Sequence, residues 1–125
     1  MSKAEVKNLA PEIHRQRLLI EGHFTRAVDE ATVCDYLLSL AAALDLRPYG
    51  EPVVFAPGSG MGKAENAGFD AFVPLIDSGI SLYVWSGPRF LSVLLYTCKG
   101  FDEARAITFT RDYFEIAGEV ATHGF

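Results

Sequence analysis

The chain changes its hydrophobic period several times, and each change marks an element. Arg17-Leu-Leu-Ile-Glu-Gly-His-Phe24 is a short apolar run that reads as a β-strand. Asp29 then offers a helix N-cap, and Val33, Leu37, Leu40, Ala41 and Leu44 recur at helical spacing, predicting a helix to about residue 46. Arg47-Pro-Tyr-Gly-Glu-Pro52 ends it, because proline disfavours helical geometry in the residue before it. Val53-Val-Phe-Ala56 is a short strand, and residues 57–68 form a glycine-rich loop. Three strand-like runs follow, at 69–77, 79–86 and 89–98, separated by the turn-forming clusters Asp77-Ser-Gly79 and Ser86-Gly-Pro88. Residues 101–114 read as a second helix capped by Asp102. Residues 1–13 are polar and read as a loosely held arm. The tail past Phe114 carries too little periodicity to assign, with a short final strand around 114–120 as one option.

The order β-α-β-β-β-β-α predicts an α+β fold, a two-layer sandwich of a mostly antiparallel sheet with two helices on one face. Alternation puts Ser81, Tyr83 and Trp85 on one face of their strand and Ile80, Leu82 and Val84 on the other. An aromatic second face predicts that this side is covered as well, by a second copy of the chain, so a homodimer is expected. The 125 residues make one domain, without internal repeats or low-complexity tracts.

Composition narrows the function. Half of the residues are apolar, which argues against disorder. A net charge of −5 argues against a nucleic-acid partner, since phosphate binding needs clustered Lys and Arg. An acidic surface suits a cationic amine, but it suits plain solubility equally. The N-terminus lacks the apolar core of a signal peptide, and no apolar run approaches the length of a membrane span. Cys34 and Cys98 make no disulfide framework, so a reduced, cytoplasmic protein is expected.

Most candidate chemistry fails on spacing. Pro57-Gly-Ser-Gly-Met-Gly-Lys63 lacks the first glycine and the Ser or Thr of a P-loop, and Lys63 stands where a dinucleotide loop has its third glycine. A flexible loop, bordering a site, remains. His14, His23 and His123 are scattered and neither cysteine has a CxxC neighbour, so no metal is expected. Ser78 lacks a GxSxG context. Taken alone, Asp77-Ser78-Gly79 is a hairpin turn, and Cys98 is a small buried hydrophobe in line with Leu94 and Tyr96.

Their joint spacing says more. Gly68, Ser78, Trp85, Thr97 and Cys98 stand, without gaps, in a pattern that resembles the prokaryotic S-adenosylmethionine decarboxylases. Those enzymes carry Gly-x-Ser-Gly, an apolar strand, Glu-Ser-His, His-Thr-Trp-Pro-Glu and Thr-Cys-Gly. The strand 17–24 and the helices 29–46 and 102–114 fit as well, so the resemblance spans roughly residues 17–114. It implies that the chain cuts its own backbone between Asp77 and Ser78 and turns Ser78 into a pyruvoyl group. In that family the pyruvoyl ketone takes up the substrate amine and acts as the electron sink for loss of CO₂, with a cysteine as proton donor. Carried over residue by residue, Ser78 is the pyruvoyl precursor and Cys98 the proton donor. Asp77 stands before the cut, and Gly68 and Trp85 are expected at the substrate.

The chain also departs from that pattern. Asp77 replaces Glu, Gly79 replaces the histidine after the serine, Asp70 replaces the serine of Gly-x-Ser-Gly, and Ser86-Gly87 replace Pro-Glu. Tyr83 replaces the histidine that assists elimination, and a phenol is a weak base beside an imidazole at neutral pH. Pro74 lies within a run that should be a paired strand, which implies an edge or a bulge. Two functions are therefore expected. One is a diverged pyruvoyl decarboxylase of polyamine (spermidine) biosynthesis. The other is an unprocessed, cofactor-free relative that binds a nucleoside, a polyamine-like amine or a protein partner.

Overall fold

The computed structural model describes residues 6–125. Strand β1 (Gln16–Phe24) leads to helix α1 (Glu30–Ala43), then β2 (Val53–Phe55), β3 (Gly68–Leu75), β4 (Ser78–Trp85) and β5 (Phe90–Thr97). Helix α2 (Glu103–Phe114) and strand β6 (Ile116–Gly124) complete the chain. The six strands form one antiparallel sheet in the order β2-β3-β4-β5-β1-β6. This is the α+β architecture the periodicity predicts, with one addition. The final strand is nine residues long and pairs with β1, so β1 is an interior strand and β6 forms the sheet edge. The described part of the N-terminal arm has no helix or strand; the Arg15 guanidinium gathers it by bonding Asn8 Oδ1 and the Ala10 carbonyl.

Both helices begin where the sequence places their caps. Asp29 Oδ1 accepts from the Thr32 backbone N–H at 2.8 Å, and Asp102 Oδ1 accepts from that of Arg105 at 3.1 Å. Helix α1 stops at Ala43, three residues short of the predicted end, because Asp45 takes a positive φ of 59° that no helix continues. Val33, Leu37, Leu40 and Ala41 of α1 and Ala106 and Phe114 of α2 pack against Leu18, Ile20, Ile80, Leu82, Leu91 and Val93 of the sheet. Within this core the Tyr36 hydroxyl meets Thr110 Oγ1 at 2.7 Å, with both residues fully buried. Burial pushes the Tyr36 phenol well above its ordinary pKa, so it stays neutral.

Among the described residues no helix lies on the other face of the sheet. Register places Val53, Phe55, Phe72, Tyr83, Leu94 and Tyr96 on it, each more than a third exposed. Among the described residues no helix is long and apolar enough to cross a membrane.

The strand boundaries shift at one informative place. The predicted turn at Asp77-Ser78-Gly79 lies earlier, at Ile76-Asp77, and Ser78 already opens β4 opposite Leu75. Pro74 is tolerated in an interior strand because β2 is only three residues long and pairs with residues 70–72. Beyond it the outer neighbour of β3 is the segment after α1, where Pro48 bridges Leu75 and the Tyr49 N–H donates to the Pro74 carbonyl at 2.9 Å. Proline still offers that carbonyl, and its missing N–H interrupts no ladder there.

Candidate active site

Asp77, Ser78 and Cys98 meet at one end of the sheet because three segments end there. The β3–β4 hairpin supplies the first two, and β5 runs out at Thr97, the register partner of Ser78. The Cys98 backbone N–H donates to the Asp77 carbonyl at 2.8 Å. That carbonyl belongs to the peptide bond joining Asp77 to Ser78. A donor aimed at it polarises the carbon and would hold the oxyanion formed if that carbon were attacked.

Ser78 itself takes a φ of 136°, a conformation in which non-glycine residues are strained. It is half-buried and borders an open-face pocket of about 280 Å³, together with Phe72, Gly79, Ser81, Leu94 and Tyr96. Gly79 has a steric reason. A Cβ there would stand 2.5 Å from the Phe72 ring, so that ring occupies the space of the side chain that would follow the serine. Cys98 is exposed rather than buried, and its backbone follows Thr97, the register partner of Ser78.

The Asp77 side chain turns away from solvent and is only 5% exposed. Its Oδ2 accepts from the Arg47 backbone N–H at 3.0 Å, and its Oδ1 from the Arg47 guanidinium at 3.2 Å. The hydrogen bond from the guanidinium, with further help from the Arg47 N–H and charge, holds the Asp77 carboxyl below its ordinary range despite partial desolvation. Arg47 was not legible as a site residue. In sequence it belongs to a helix-ending turn, and only the fold brings it to Asp77, 30 positions later.

The remaining expected residues lie elsewhere. Gly68 pairs with Trp85 at the opposite end of the β3–β4 hairpin, roughly 23 Å from Ser78 at about 3.3 Å per residue. Backbone crowding accounts for glycine at 68, since a Cβ would stand 1.7 Å from the Val84 carbonyl oxygen. The glycine-rich loop folds into two 3₁₀ turns, Gly60–Gly62 and Ala64–Asn66, and adjoins that same far end through the Gly68 N–H to Pro57 carbonyl bond. Tyr83 lies between the two ends, exposed on the open face and paired with Asp70 on one side and Ser92 on the other. It is five residues along an extended strand from Ser78, roughly 16 Å, so one chain alone does not bring its phenol to the junction. Among the described residues no group of three or more His, Cys, Asp or Glu side chains converges as for a metal.

No family model and no curated protein matches the chain by sequence. Among solved structures it is similar to the adenosylmethionine decarboxylase from Aquifex aeolicus VF5, with a TM-score of 0.69 and 16% identity over 90% of this chain and 89% of that one. The likeness at this identity is one of fold. The chain thus has the fold of an adenosylmethionine decarboxylase, the fold its Ser78, Trp85 and Cys98 spacing resembles.

Proposed function

We propose that this chain is a diverged pyruvoyl-type decarboxylase of the polyamine-forming kind, which cuts itself between Asp77 and Ser78 and acts on S-adenosylmethionine or another amino-acid amine. The observation that carries this reading is the junction itself: a strained serine whose preceding carbonyl already accepts a backbone N–H from Cys98. Ser78 Oγ attacks the Asp77 carbonyl carbon, the C–N bond breaks, and the hydroxyl proton ends on the freed nitrogen, leaving an ester. Removal of the Ser78 Cα proton expels the Asp77 carboxylate. One water then replaces the nitrogen, which leaves as ammonia, and residue 78 becomes the pyruvoyl group.

The surroundings suit that group: Ser78 borders an open-face pocket, and Cys98 is an exposed residue held to the Asp77 carbonyl by its backbone N–H. When formed, the pyruvoyl ketone takes the substrate amine and draws the electrons released with CO₂. Cys98 is then the proton donor, and the exposed apolar face around the pocket seats a second copy of the chain, making a homodimer. Denaturing mass spectrometry of the purified protein tests the cut, with fragments of 77 and 48 residues expected. A chain that stays whole after prolonged incubation refutes it. Light scattering tests the dimer, with Leu94→Asp expected to yield monomers.

A second reading rests on Tyr83. With a phenol in place of the imidazole, and at a distance from Ser78 within the chain, Tyr83 does not serve the elimination as the family's histidine does. The fold would then serve as an unprocessed binder of a nucleoside or polyamine-like amine. Calorimetry with S-adenosylmethionine, its decarboxylated product and spermidine separates the two readings, because this one predicts binding by an intact chain.

A further inference from the structure

The Ile76-Asp77 turn is gripped from two sides, and the two grips have different origins. On the β5 side the hold is a backbone bond, from the Cys98 N–H to the Asp77 carbonyl. On the other side the segment after α1 makes a series of contacts. The Arg47 carbonyl accepts from the Ile76 N–H at 2.8 Å, and Tyr49 bonds Pro74. The Arg47 N–H and guanidinium both hold the Asp77 carboxylate. Asp77 is thereby fixed at its side chain and at its carbonyl together, and the strained φ belongs to the next residue. With Asp77 fixed at both points, the rotation that would relax Ser78 is resisted from the preceding peptide.

We propose that Arg47 is a positioning residue for self-cleavage: its hold on the Asp77 carboxylate keeps the Asp77 carbonyl turned to Cys98 and keeps Ser78 in the strained backbone that presents its hydroxyl to that carbonyl. The proposal rests on the self-cleavage reading. Arg47 touches no reacting atom. It acts on the first step alone, in which the Ser78 Oγ–C bond forms, the Asp77 C–N bond breaks and the proton passes from oxygen to nitrogen. Its side chain is 63% exposed, so the space it would leave is open to small solutes.

The test follows fragment formation over time by denaturing mass spectrometry in wild type, Arg47→Ala, Arg47→Gln and Arg47→Lys, with and without hydroxylamine, which cleaves esters but not peptide bonds. Thermal melts accompany each variant. Misplacing the attacking group by about 1 Å slows such a step by up to about a hundredfold, and a loss of about ten- to a hundredfold is expected in Arg47→Ala and Arg47→Gln with folded melting curves. Lysine restores part of the rate, and ethylguanidinium added to Arg47→Ala restores part as well, which no general loss of stability would allow. Wild-type cleavage rates in folded Arg47→Ala overturn the role of Arg47 and leave self-cleavage standing. If Arg47→Ala does not fold, a wild-type rate in folded Arg47→Gln does the same. If wild type yields no fragments even with hydroxylamine, the self-cleavage reading falls and takes this proposal with it.

Discussion

Strain at Ser78 can be measured separately from any chemistry, by comparing two variants that both lack the hydroxyl. Ser78→Ala keeps a Cβ and therefore the strain at φ 136°, whereas Ser78→Gly removes the Cβ and relaxes it. A non-glycine residue held in such a conformation costs about 1–3 kcal/mol. Glycine returns about 0.5–1 kcal/mol of that by making the unfolded chain more flexible. The net expectation is that Ser78→Gly is more stable by up to about 2.5 kcal/mol. The unfolding entropy of a chain this long is about 0.26 kcal/mol/K, so the difference corresponds to a rise in Tm of up to roughly 10 °C. Calorimetric melts on chains verified as intact by mass provide the assay. If Ser78→Gly melts below Ser78→Ala, the strain at the junction is smaller than the about 0.5–1 kcal/mol that glycine's flexibility costs, and the geometric case for attack on Asp77 collapses.

Three further outcomes are expected. Gly68→Ala forces a methyl against the Val84 carbonyl oxygen and should cost about 1–3 kcal/mol or more in chemical denaturation, with a neutral result excluding the close approach of β3 to β4. Tyr36→Phe leaves the buried Thr110 hydroxyl without its 2.7 Å partner and should cost about 1–3 kcal/mol; an unchanged Tm would show that the hydroxyl pair contributes nothing. The Asp77 carboxyl has a folded pKa depressed below its ordinary 3.8, so its contribution to stability is complete above that value and is lost as pH falls through the folded pKa. Melts between about pH 5 and pH 2 should therefore show a steeper acid loss in wild type than in Asp77→Asn, and parallel curves would contradict the Arg47 pairing.

Much of the fold was legible because local signals and burial agree. Asp29 and Asp102 cap the helices they were expected to cap, and Ile80, Leu82 and Val84 face the helices as alternation requires. The final strand was not legible. On the sheet edge, Ala117, Glu119, Ala121 and Thr122 remain exposed, so burial imposes no alternation there. The turn was misplaced because Asp77 and Ser78 are both turn-forming types, and only the bonds from Arg47 and Cys98 decide which one turns. The glycine at 68 was read through a resemblance to substrate-binding motifs, while contact with the Val84 backbone supplies a sufficient reason for it. That contact is made by another strand and leaves no local trace in the sequence.

The Phe72 ring has one side over Gly79 and another open to solvent on the bare face of the sheet, where it is 42% exposed. It is therefore common property of the junction and of whatever lies on that face. A surface seated there meets Phe72, and any displacement of the ring reaches the residue directly after Ser78. The hairpin junction and the open sheet face thus share one side chain. The side chain missing at position 79 is what leaves room for it.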